Sequence, residues 1–189
     1  APFEKLPGVK SVVSGYIGGH KKDPKYDEVS AGVTGHVEAV QVTFDPRQVT
    51  YLDLLEVFWR SIDPTDAHGQ FVDQGEQYRS AIFVLNEKQR QSAEHSKMQL
   101  QKTGRFKKPV VTTIENASVF YAAEDYHQEY YKKNPIRYKY YRSRSGRDEF
   151  IDKIWGKERE YMISKGNEKN TATKYMKPSS DEIKKKLNP

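Results

Sequence analysis

Four side chains that can donate or hold protons stand in three short stretches of the chain. Tyr26 lies in DPKYDEV and Glu38 in GHVEAVQVTF, while Asp73 and Tyr78 lie in VDQGEQYRS. From Val37 to Phe44 the residues alternate with period 2, the pattern of a half-buried strand. Glu38, Val40, Val42 and Phe44 share its more apolar face, which is expected to point at the core. A carboxylate left unpaired there is costly and ordinarily takes up a proton instead. The plainer alternative is that Glu38, near the strand's first position, reaches solvent. Each tyrosine taken alone reads as a rim or core aromatic. Together, two phenol donors and one protonatable acid describe a small pocket. Such a pocket suits a neutral oxygen that must be protonated as its bond breaks.

Other chemistries fit less well. His36-Val37-Glu38 matches the H-x-E half of the zinc deaminase signature, but the P-C-x-x-C half needs cysteines and the chain has none. The five histidines (20, 36, 68, 95 and 127) lack close ligand spacing. His36 and Glu38 find no convincing third ligand, so no metal site is expected. The glycines of GYIGG are followed by neither GK[ST] nor a helix start, which excludes a phosphate cradle. Glu38 and Asp73 could be a glycosidase pair, but that requires a sugar cleft the sequence does not establish.

The elements that must position these residues can be outlined. With 189 residues, 35% hydrophobic, the chain is long enough for one domain with a real core. No apolar run could cross a bilayer and no secretory core opens the sequence, so a soluble, cytoplasmic protein without a membrane partner is expected. The net charge of +6 is uneven: residues 1–131 carry 15 Lys+Arg against 18 Asp+Glu, and residues 132–189 carry 17 against 8. A basic excess on the tail reads as a solvated linker and not as a nucleic-acid face. Without cysteine there is no disulfide, no thiolate metal site and no internal nucleophilic thiol.

Residues 1–6 read as a helix end closed by Pro7-Gly8, followed by a strand at Ser11–Gly15 and a long loop to Gly35. After the Glu38 strand, Thr50 and Asp53 resemble a capping box opening a helix with Leu52, Leu55 and Trp59 on its apolar stripe. A second loop leads to a strand at Tyr78–Leu85, with Tyr78 at its mouth. A helix over 87–102, a strand at Val110–Ile114 and a helix over Phe120–Lys132 complete the outline. The chain turns polar from about Lys157. The fold class is α/β or α+β, a mixed sheet covered by helices in two layers, with long irregular loops.

The stretches GYIGGHKKDPKYDEVSAGVTGHVEAVQVTFDP, LLEVFWRSIDPTD, DQGEQYRSAIF and AEDYHQEYYKKNP closely resemble the type A peptide methionine sulfoxide reductases, from Ala1 to about Trp155. The resemblance implies a two-layer α/β sandwich that reduces methionine S-sulfoxide, free or in peptides, to methionine. It implies Glu38 as the acid and Tyr26 and Tyr78 as the holders of the sulfoxide oxygen. Asp73 would lie near the substrate backbone, with His127 lining the pocket. A thiolate attacks the sulfoxide sulfur, and the resulting sulfenic acid is returned to thiol by a dithiol.

One departure is serious. The family's nucleophile is the cysteine of Gly-Cys-Phe-Trp-Gly, whose place falls a few residues before Ala1. Three explanations stay open: a preceding segment carries it, the chain is truncated, or the nucleophile has been lost. The chain by itself is not expected to turn over. The alternative to an enzyme is a catalytically silent module that binds oxidised methionine or a protein partner. Where some family members carry resolving cysteines, this sequence reads YKYYRSRSGRDEFIDKIWGKERE, which implies no bound cofactor and an external, thioredoxin-like dithiol. The organisation then reads as a type A domain over 1–156 and a polar linker over 157–175. MKPSSDEIKKKLNP, within 176–189, resembles the opening of a covalently linked type B reductase domain.

Overall fold

A computed structural model describes residues 2–163 of the protein. Residues 164–189, which hold most of the linker and the type B resemblance, lie outside the described residues. The chain opens with a single 3-10 turn, Phe3–Lys5, where a helix end was expected. Strand β1 (Val9–Ile17) is longer than the expected Ser11–Gly15. It runs antiparallel to β2 (Val37–Phe44) with Val12 opposite Val42 and Tyr16 opposite Glu38. Between them the long loop contains one short helix, α1 (Tyr26–Ser30), so Tyr26 sits on a helix N-terminus.

Helix α2 (Tyr51–Trp59) starts as the sequence indicates. The Thr50 hydroxyl accepts from the Asp53 N–H at 3.2 Å, and the Asp53 carboxylate accepts from the Thr50 N–H at 2.7 Å. This reciprocal cap satisfies two otherwise orphaned amide donors. Leu54, Leu55, Val57 and Trp59 of α2 are buried. The second loop holds a two-residue hairpin, β3 (Gly69–Gln70) with β4 (Asp73–Gln74).

Three further segments differ from the sequence reading. Tyr78 lies in a 3-10 turn (Glu76–Tyr78), because its N–H bonds back to the Gly75 carbonyl at 3.0 Å, and β5 begins at Ala81 (Ala81–Val84). After α3 (Glu87–Lys102), the next strand β6 is Thr113–Asn116 and not Val110–Ile114. The reason is local: the Val111 N–H is taken by the Pro64 carbonyl at 2.8 Å, and parallel pairing with β5 starts only at Ala81 opposite Thr113. Nor is Phe120–Lys132 a helix. Tyr121–Ala122 form β7 against Gly15 and Tyr16 of β1. The Gln128 amide then bonds both the N–H and the C=O of Ser14, each at 2.9 Å, imitating a further ladder position. Helix resumes as α4 (Tyr130–Lys133), α5 (Pro135–Arg144) and α6 (Arg147–Trp155).

Among the described residues the strands make three sheets: β2-β1-β7, β3-β4, and the parallel pair β5-β6. Helices α2, α3 and α6 bury Leu55, Trp59, Ala93, Leu100, Ile151 and Trp155 against β5. Leu6, Val49, Leu54 and Val57 form a second cluster, against which Tyr161 and Ile163 pack. Under the candidate site, Tyr16, Val29 and Ala123 form a third, with Tyr26 and Tyr121 against it.

Candidate active site

A cleft of about 1050 Å³ separates the β1-β2-β7 sheet from the β5-β6 pair, and Tyr26, Glu38, Asp73, Tyr78 and His127 all line it. Consecutive residues of β2 (37–42) and of the β5 approach (79–83) face the cleft. Among the described residues each of these strands has one ladder partner, β1 for β2 and β6 for β5, so the other edge of each is unpaired.

The Glu38 face does not close onto a core. Val37 is buried, whereas Glu38 and Val40 stand open toward the cleft. Glu38 keeps access to solvent, while the cleft walls crowd its carboxyl. That crowding is the main cause that pushes its pKa up to about 7, and the negative charge of Asp73 adds to it. Residues directly opposite in a ladder share a face, so the ring of Tyr16, 2% exposed, stands beside Glu38. The raised pKa favours the protonated carboxyl closer to neutrality than an ordinary glutamate, the direction a general acid needs. Burial raises the pKa of Tyr78 and the Glu38 charge contributes, so its phenol stays protonated and able to donate.

Tyr26 is held from two sides. Its backbone N–H donates to the Glu124 carboxylate at 3.0 Å, and that carboxylate also accepts from the Tyr16 hydroxyl at 2.8 Å. The His127 ring lies 4.3 Å from the Tyr26 ring and 4.3 Å from the Tyr126 ring. His127 Nε2 is buried without a partner among the described residues. Asp73 opens β4 and accepts a hydrogen bond from the Tyr141 hydroxyl of α5. Gly75 precedes the turn that carries Tyr78 at φ +129°, where a Cβ would lie 2.5 Å from the Gln77 side chain. Gln77 in turn donates to the Ser30 carbonyl at 2.9 Å, tying the Tyr78 turn to the end of α1.

His36 is not a ligand. Its Nδ1 accepts from the Gly19 N–H at 3.1 Å and its Nε2 donates to the Lys21 carbonyl at 2.8 Å, which pins the long loop. Gly19 lets the ring approach, since a Cβ there would meet it at 2.5 Å. Among the described residues, no group of three or more His, Cys, Asp or Glu could hold a metal. The sequence reading missed Glu124, Tyr141 and Arg147. The acid of AEDYH, three residues from His127, was a usable signal for Glu124. Tyr141 sits among several tyrosines of α5, and nothing local marks it.

Comparison with known proteins identifies relatives across most of the chain. A family model described as peptide methionine sulfoxide reductase matches residues 1–159. The peptide methionine sulfoxide reductase MsrA of Listeria innocua is 56% identical over 154 residues, covering 82% of this chain and 87% of that protein. The Bacillus subtilis MsrA is also 56% identical, covering 82% and 88%. A Vibrio cholerae MsrA/MsrB protein is 49% identical over 98% of this chain, which spans about half (51%) of that relative's length. Among solved structures, Mxr1 of Saccharomyces cerevisiae in reduced form matches with TM-score 0.65 and 33% identity, covering 68% of this chain and 74% of that one. Methionine sulfoxide reductase A of Corynebacterium diphtheriae matches with TM-score 0.60 and 36% identity, covering 71% and 68%. This degree of likeness across most of the chain places the protein in the peptide methionine sulfoxide reductase family.

Proposed function

We propose that the protein reduces methionine S-sulfoxide, free or in peptides, with Glu38 as proton donor and Tyr26 and Tyr78 as donors to the sulfoxide oxygen. The observation that carries this reading is the cleft that Glu38 shares with both phenols, where crowding pushes its pKa up to about 7. A thiolate attacks the sulfoxide sulfur, and the S–O bond breaks as oxygen is protonated. Oxygen and two electrons are exchanged: the thiol becomes a sulfenic acid and the sulfoxide becomes a thioether. An acid whose pKa is raised toward neutrality can give this proton and recover it, a service worth about 10²–10⁴-fold in rate. The two phenols hold fixed dipoles where negative charge grows on oxygen. Asp73, held by Tyr141, is assigned to the substrate main chain, and His127 to the wall behind Tyr26.

The thiol must come from outside the sequence, which has no cysteine. The open edges of β2 and β5 support a source: a further strand laid between them would enter beside Glu38 and carry a cysteine to the cleft. A thioredoxin-like dithiol then reduces the sulfenic acid, releasing water and becoming a disulfide. No bound cofactor is required. The match to the Vibrio cholerae relative over 98% of the chain supports a covalently linked type B domain opening within 176–189, beyond a type A domain over 1–156 and a linker over 157–175. No described helix is long and apolar enough to cross a membrane, and a cytoplasmic setting is part of this proposal.

The test is turnover of each methionine sulfoxide epimer by the full-length protein with dithiothreitol. Reduction of the S epimer, sharply slowed in Glu38→Gln, is expected. Equal rates for the two proteins would remove the acid role. Affinity for a sulfoxide peptide without any product would favour the silent binding module.

A further inference from the structure

Arg147 opens helix α6 at the edge of the same cleft, and its guanidinium is only partly satisfied by the protein. Nη1 donates to the Ser61 carbonyl at 2.7 Å, and the guanidinium carbon lies 4.4 Å over the Phe71 ring. Among the described residues, no carboxylate lies within ion-pair distance of it. Two neighbouring arginines differ: Arg142 and Arg159 both pair with Asp148. Desolvation lowers the pKa of Arg147, opposed by the nearby Tyr141 and Asp73. A guanidinium carries five N–H donors in a planar fork suited to oxygen acceptors.

The geometry around it is fixed. Phe71 adopts φ +61° at the turn between β3 and β4, and its ring contacts Phe150 of α6 at 5.6 Å between centroids. Arg147 therefore stacks on the turn that presents Asp73 two residues later. Asp73, steadied by Tyr141, provides an acceptor, and Arg147 provides donors, on the same wall of the cleft. An amino-acid residue entering the cleft carries the converse pair on its main chain, an N–H or ammonium and a carbonyl or carboxylate oxygen.

Resting on the proposed sulfoxide reductase function, we infer that Arg147 binds the main-chain oxygen on the C-terminal side of the substrate methionine sulfoxide. That oxygen is a peptide carbonyl within a chain and a carboxylate at a terminus or in the free amino acid. Asp73 takes the main-chain nitrogen, so the two residues fix the direction of the backbone while the side chain reaches Glu38. Arg147 is a specificity residue, and it takes no part in the chemical step.

The test compares three S-sulfoxide substrates with the full-length protein under dithiothreitol: N-acetylmethionine sulfoxide, its N-methylamide, and N-acetyl-3-(methylsulfinyl)propylamine, which lacks the oxygen-bearing group. A hydrogen bond to a charged group sets the scale, about 10- to 100-fold. The unmodified protein should prefer the acid over the truncated substrate by that factor in kcat/KM, with most of the change in KM. The amide should fall between them. Arg147→Met should level all three near the truncated value, and Arg147→Lys should restore part of the preference for the acid. The substrate comparison needs no variant, so a poorly folded Arg147→Met would not spoil it. Equal kcat/KM for all three substrates in the unmodified protein would overturn the inference. So would an equal loss on all three in Arg147→Met, which marks a purely structural arginine. Failure of the unmodified protein to reduce any of them would overturn the functional reading beneath it.

Discussion

Replacing Glu38 with glutamine should change how stability depends on pH, and this can be measured without any turnover. In the unfolded chain the carboxyl titrates near 4.5, and in the fold near 7. Between those values the folded state binds more protons than the unfolded one, so stability falls as pH rises through the window and is level above it. Each pKa unit is worth about 1.36 kcal/mol, which sets an upper bound of roughly 3 kcal/mol. Glu38 keeps access to solvent, and solvent screening reduces this to about 1 kcal/mol. For a domain of this size that is about 2–4 °C in Tm. Glutamine does not titrate. Thermal melts of the wild type and Glu38→Gln from pH 4 to 8 should therefore diverge: relative to wild type, the variant gains about 2–4 °C between pH 4.5 and 8. Parallel curves across that range would refute the raised pKa and the argument built on it.

Other consequences follow from the same geometry. Tyr26→Phe and Tyr78→Phe should each slow sulfoxide reduction by the full-length protein, by up to about 10²–10³-fold if the lost donor acts as an oxyanion-hole donor does. Steady-state kinetics will check this, with most of the change expected in kcat. Thr50→Ala removes half of the reciprocal cap on α2 and should cost about 1 kcal/mol in chemical denaturation. Trp59, 1% exposed and donating its indole N–H to Ser96 at 2.9 Å, should cost about 3–5 kcal/mol as Trp59→Ala by the same assay.

Local signals carried much of the fold. The period-2 run at Val37–Phe44, the Thr50/Asp53 pair and the long amphipathic stretch at Glu87–Lys102 each specify an element through interactions within a few residues, and each formed there. The misread segments answer to distant partners. Val111 lost its place in a strand to the carbonyl of Pro64, and the segment near His127 is shaped by Gln128 bonding Ser14, more than a hundred residues away. The candidate site was readable because its main residues lie in short, distinctive blocks. Its supports were not, since Tyr141 reaches Asp73 and Glu124 reaches Tyr16 only through the tertiary fold. The burial of Glu38 was read one step too far. Its strand face is apolar because it borders a cleft, and the carboxyl is crowded there without being sealed.

The most direct measurement is the titration of Glu38 itself, followed by the carbon-13 shift of its side-chain carboxyl between pH 3 and 9, with Glu38→Gln identifying the signal. The account predicts a midpoint near 7. A midpoint near the ordinary 4.5 would contradict it, because a glutamate fully ionised at neutral pH has no proton to give to a departing sulfoxide oxygen.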